Sequence, residues 1–153
     1  ALKPRGSDFA TCFLTNFGKD FRHGQQEMLL QGIVAGDLKL IEKVGTNMGN
    51  ECKRMGIHFN FAPVLDINTN PKNPIIGNRS FGESKVNVAD KAIAFLKGEQ
   101  SQGVFCTGKH FPGHGDTATD SHKTLPTINF SKEQIDLVEL YPSKECLTMV
   151  WPR

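Results

Sequence analysis

The sequence predicts an α/β fold with parallel strands. Two helix-then-strand pairs follow one another, each strand runs out into a long polar loop, and a third helical pattern follows the second loop. Strands joined by crossovers long enough to carry a helix lie parallel, and this alternation is the grammar of α/β folds. At 153 residues, 38% of them hydrophobic, the chain has the size of one domain and enough apolar material for a core.

Residues 1–33 mix glycine, phenylalanine and charged side chains without a sustained period, so no element is assigned there. From Asp37 onward, Leu38, Ile41, Val44, Met48, Cys52 and Met55 recur at spacings of three and four, which predicts a helix with one apolar stripe ending near Gly56. The period then switches to two. Ile57, Phe59 and Phe61 alternate with His58, Asn60 and Ala62 before Val64 and Leu65, as in a strand. After Asp66 the chain turns rich in Asn, Pro and Gly, a composition that forms loops, and loops this long usually carry function.

Val88, Ala89, Ala92, Ile93, Phe95 and Leu96 mark a second helix, ending near Gln102 with Gly103 as its cap. Val104 to Thr107 reads as a short, fully apolar strand. The next loop, Lys109 to Pro126, holds His110, His114 and His122. Ser131 and Gln134 fit a capping box that opens a third helix through Ile135, Val138 and Leu140, with Pro142 expected to interrupt it.

Composition excludes several partners. The formal net charge of +2 is spread along the chain with no run of five or more like charges, which argues against nucleic acid and anionic membranes as partners. No apolar run approaches the roughly 20 residues that span a bilayer, and Ala1 to Asp8 lack a signal-peptide pattern. Localisation stays unassigned on this reading: intracellular, or periplasmic or secreted if a targeting segment is missing. Cys12, Cys52, Cys106 and Cys146 are far apart and form no C-x-x-C pair, so buried free thiols are expected.

The densest chemistry lies in Gly108 to His122. A stretch with so few aliphatic residues is costly to bury, since each unpaired polar group taken from water costs on the order of 2 kcal/mol; the alternatives are a solvated loop and a functional one. Gly103 to Lys109 matches the phosphate-loop pattern G-x-x-x-x-G-K, but His110 stands where Ser or Thr would hold magnesium, and Val104, Phe105 and Cys106 favour a buried strand over flexible backbone. His110, His114, Asp120 and His122 have poor spacing for a metal, so neither metal nor cofactor is expected. Asp120 and His122, two residues apart, suit an acid/base dyad, because a carboxylate can fix the imidazole tautomer and histidine titrates near neutrality.

Ile57 to Asp66, Asn78-Arg-Ser-Phe-Gly82, Gly108-Lys-His-Phe-Pro-Gly-His-Gly115 and Thr119-Asp-Ser-His122 together resemble family 3 glycoside hydrolases in residues, order and spacing, over about residues 37–142. The Asp120-Ser121-His122 segment is similar to the β-N-acetylglucosaminidase branch, which uses a histidine and aspartate dyad as acid/base. The resemblance implies that residues 1–153 are a partial N-terminal catalytic domain, part of a (β/α)8 barrel whose loops after Asp66 and Thr107 share one mouth. It implies that Arg79, Lys109 and His110 hold sugar hydroxyls. It also implies that His122, oriented by Asp120, serves a retaining mechanism removing terminal β-linked N-acetylhexosamine.

The family's nucleophile is an aspartate on a later barrel strand with no counterpart recognisable here, and a complete barrel needs at least about 200 residues. The resemblance therefore implies a chain that requires the remaining barrel segment to complete its site. Two further readings stand beside hydrolysis: an incomplete barrel that binds carbohydrate or assembles with a partner, and phosphorolysis, since a neutral imidazole does not repel a phosphate acceptor.

Overall fold

The computed structural model describes residues 35–70, 73, 75–116 and 130–150. The chain divides into two compact units, Ala1–Ala62 with Ala94–Thr107 and Pro63–Ile93 with Gly108–Arg153. The α/β class expected from the sequence is present, with parallel strands and helices between them.

In the first unit, helix α1 (Leu38–Arg54) starts at Asp37, whose side chain accepts hydrogen bonds from the amides of Lys39 and Leu40 at 3.0 and 3.1 Å. Lys53 and Arg54 occupy its last turn, where positive charge meets the negative end of the helix dipole. The chain leaves through Gly56, whose φ of 70° suits a residue without a Cβ. Ile41, Val44, Met48 and Cys52 are buried as the stripe predicts, while Leu38 and Met55 at its ends are exposed.

Strand β1 (Phe59–Asn60) pairs in parallel with β2 (Phe105–Cys106), Phe59 opposite Phe105 and Asn60 opposite Cys106. Between them in sequence runs helix α2 (Lys85–Gln100), which ends before a turn through Gly103. Helices α1 and α2 meet backbone to backbone. A Cβ on Gly45 would land on the carbonyl oxygen of Phe95, and one on Gly98 on the carbonyl oxygen of Glu42. Glycine inside a helix costs about 1 kcal/mol relative to alanine, and here the close approach it permits is the compensation.

One face of the strand pair is polar and enclosed. Asn60 donates from Nδ2 to the wholly buried Glu99 at 2.5 Å, and the Cys52 thiol lies 3.9 Å from the same carboxyl oxygen. The other face carries Phe59, Phe61 and Phe105, whose rings contact one another with centroids 5.2 and 6.2 Å apart yet remain exposed. The expected fully apolar strand is thus apolar in composition but two-faced in burial, with Val104 and Cys106 inside and Phe105 62% exposed.

Among the described residues of the second unit, regular pairing is limited to a parallel bridge between Val64 and Lys109. Pro63 has no N–H to donate, so it contributes only its carbonyl, which accepts from Lys109 N at 3.0 Å. That proline explains why the strand from Ile57 to Leu65 is shorter as a ladder than its alternation suggests.

Val88, Ala89 and Ala92 of α2 are buried here, and Lys91 donates to the Phe81 carbonyl at 3.1 Å. Ser131 caps a single turn, Lys132–Gln134, accepting from Gln134 N at 3.2 Å. A π-helical segment follows, Ile135–Glu139, and then helix α3 (Tyr141–Val150). Pro142 therefore opens a helix rather than ending one: it lies in the first turn of α3, where a missing N–H goes unnoticed.

Cys52, Cys106 and Cys146 are buried free thiols. Burial pushes the Cys52 and Cys146 thiols up to about 12, and it raises Cys106 as well, reinforced by the charge of Glu99. Cys12 lies outside the described residues.

Candidate functional site

The loop after β2 is organised by one carboxylate from the loop after β1. Asp66, whose side chain is wholly buried, places Oδ2 2.6 Å from His110 Nδ1. Its Oδ1 accepts from the amide of His114 at 2.7 Å and, more weakly, from that of His110 at 3.4 Å. An ionised carboxylate only accepts, so Nδ1 of His110 is the donor and Nε2 is the ring atom left for a ligand. The imidazole is partly exposed, with 36% of the side chain accessible.

Neighbouring contacts fix the same loop. Lys109 sits in the bridge to Val64, its carbonyl accepting from Leu65 N at 2.5 Å. The Lys109–His110 and Phe111–Pro112 peptide bonds are both cis. Gly108 packs on Leu65, and a Cβ at Gly115 would collide with the backbone of Ile67, so the strip Leu65 to Ile67 serves as the floor on which the loop is laid. The His110 and His114 rings meet edge to face, 5.9 Å between centroids.

Asn73 ties the two loops together. Its Nδ2 donates to the carbonyls of His114 and Gly115 at 2.8 and 3.0 Å, while its Oδ1 accepts from Ile75 N and Ile76 N at 2.9 and 3.0 Å. The segment so anchored leads into the short 3-10 turn Gly77–Arg79, where Arg79 donates from Nη1 to the Ile75 carbonyl at 3.1 Å. Ser80 closes the turn by donating to the Asp66 carbonyl at 2.6 Å.

Of the residues singled out from sequence, Lys109 and His110 stand together on this loop, and Arg79 stands on the segment that Asn73 fastens to it. His122 and Asp120 lie outside the described residues. Among the described residues, no three His, Cys, Asp or Glu side chains are grouped as metal ligands would be.

Sequence reasoning did not single out Asp66 or Asn73 for roles of their own. The available signal was a carboxylate following directly on an apolar strand, because a buried acid needs donors nearby. Glu139 was also missed. It is buried beneath the loop against Gly113, and desolvation, reinforced by the carboxylates of Asp66 and Asp116, pushes its carboxyl up to about 7.

Known proteins share this arrangement of chain. Residues 25–149 match the model described as the glycosyl hydrolase family 3 N-terminal domain. A β-hexosaminidase A of Pseudoalteromonas piscicida is 42% identical over 105 residues, 69% of this chain and 18% of that protein. A β-hexosaminidase of Idiomarina loihiensis is 38% identical over 99 residues, 65% of this chain and 29% of its own length. Among solved structures, a family 3 β-N-acetylglucosaminidase from Paenibacillus sp. superposes with a TM-score of 0.72 at 46% identity, covering 74% of this chain and 22% of that one. The chain thus spans less than a third of each of these relatives.

Proposed function

The chain belongs to the glycosyl hydrolase family 3 N-terminal domain family, and from that membership we propose that the protein carrying it is a retaining β-N-acetylhexosaminidase, with this stretch forming part of a (β/α)8 barrel. The observation that carries the reading is the grip of Asp66 on His110 and on the His114 amide. It presents an imidazole nitrogen and the adjacent Lys109 at the end of parallel strands, where α/β folds keep their sites.

In this reading Arg79, Lys109 and His110 hold hydroxyls of the reacting sugar, since fixed cationic and imidazole donors match dense hydroxyl groups. His122, oriented by Asp120, protonates the glycosidic oxygen as a carboxylate nucleophile bonds to the anomeric carbon. In the second step His122 takes a proton from water, the water oxygen bonds to the anomeric carbon, and the carboxylate leaves. Between these two proton transfers the imidazole is neutral; the imidazolium that precedes the first and follows the second is stabilised by the charge of Asp120. The nucleophile belongs to a later barrel strand in the family's architecture, so the unit to assay is the full-length protein.

Hydrolysis of a chromogenic N-acetyl-β-glucosaminide tests the proposal. Turnover by the full-length protein is expected to fall by about 100-fold or more in His122→Ala, the usual worth of a general acid/base. Sugar binding with no turnover by the unmutated protein would replace this reading with that of a carbohydrate-binding half.

A further inference from the structure

We propose that Glu139 is a positioning residue of the sugar-holding loop: its carboxyl, buried beneath Gly113, shapes the turn that delivers the His114 amide to Asp66 and so keeps His110 in place. This rests on the sugar-binding role given to His110 above.

Three observations meet at this point. Gly113 has a φ of 147°, in the region that favours glycine, and the space its Cβ would fill is already taken by Glu139, with Oε2 2.5 Å and Cβ 2.8 Å from that position. Glu139 is 6% exposed, and its Oε2 is fully buried without a hydrogen-bond partner among the described residues. A buried polar atom left unsatisfied is rare enough in folded proteins to require a reason. The third is location: Glu139 ends the π-helical segment Ile135–Glu139, and a π turn of this kind re-aims a side chain relative to an α-helix, often at a functional site.

The electrostatics give the arrangement a direction. The charged groups bearing on Glu139 are Asp66, from the loop after β1, and Asp116, from the loop after β2. On its own segment Asp136 is turned to Lys144, 3.5 Å away and exposed. Of the loop's imidazoles, His110 is engaged with Asp66, and the His114 ring meets that of His110 edge to face. Neutral Glu139 sits beneath the turn without repulsion. Once ionised, it adds a second buried negative charge beside Asp66, which drives it from under Gly113 and slackens the His114 to Asp66 hydrogen bond. With the carboxyl pushed up to about 7, this change falls in the neutral range.

The experiment uses the full-length protein labelled with carboxyl-13C glutamate, the Glu139 signal being assigned by its absence in Glu139→Gln. In the unmutated protein the signal is expected to titrate near 7, well above the ordinary carboxyl value of 4.5, with the Gly113 and His114 amides moving at the same midpoint. Calorimetry with N-acetylglucosamine is expected to show affinity falling at least about fivefold from pH 6 to pH 8, a typical size for coupling between neighbouring sites. That fall should be much reduced in Glu139→Gln. Titration at the ordinary carboxyl value, or the same pH dependence of affinity in both proteins, overturns the proposal. Should N-acetylglucosamine not bind at all, the sugar-binding reading fails, while the carboxyl and amide titrations still decide whether Glu139 governs the turn.

Discussion

Asp66 does more for the loop than any other described residue, because one buried carboxylate receives the His110 ring and the His114 amide at once. Asp66→Asn keeps the volume and removes the charge. Charge-assisted hydrogen bonds contribute about 1.5–3 kcal/mol each, so the affinity of the full-length protein for N-acetylglucosamine, followed by calorimetry, is expected to drop by roughly 10- to 100-fold. Glu99 makes a contrasting case. Its burial, opposed by hydrogen bonds from Asn60 and two thiols, raises its pKa above the ordinary 4.5. A carboxyl raised on folding lends stability in full below the unfolded value and loses it as pH climbs through the folded one. Glu99→Gln is therefore expected to flatten the decline in melting temperature from acid toward neutral pH, read by thermal scans across that range.

The helices were the most legible elements, since Ile41, Val44, Met48 and Cys52 repeat at the spacing that buries one face, and all four are buried. Periodicity does not report how close two helices come. Gly45 and Gly98 look like weak points in helical stretches, yet their missing side chains are what bring α1 against α2. Gly98→Ala is expected to destabilise the fold by about 1–3 kcal/mol through overpacking, measured as a lower urea midpoint with an unchanged slope. Pro142 misled for a related reason. A proline stops a helix that precedes it and starts one that follows, and only the chain's continuation through Tyr141–Val150 distinguishes the two.

For the molecule as a whole, the sequence displayed the loop that carries Lys109 and His110 but not the partners that hold it. The contacts from Asp66 to His110 and His114 span 44 and 48 positions along the chain, and no local pattern encodes such a pairing. The thiols were easier to anticipate because isolated cysteines without metal spacing are commonly buried, and Cys52, Cys106 and Cys146 are. Burial and raised pKa both suppress the reactive thiolate, so these three should resist iodoacetamide at pH 8 until denaturant is added, as peptide mapping would record.

The backbone bridge between Val64 and Lys109 carries a last implication. Because Lys109 is stitched into a strand pair on both its N–H and its carbonyl, the conformational freedom of that stretch is surrendered during folding rather than at the moment of ligand capture. Association with a sugar should then cost little rigidification of the protein. The deuterium uptake of the Leu65 and Lys109 amides would accordingly be slow in the empty protein and scarcely slower in the occupied one.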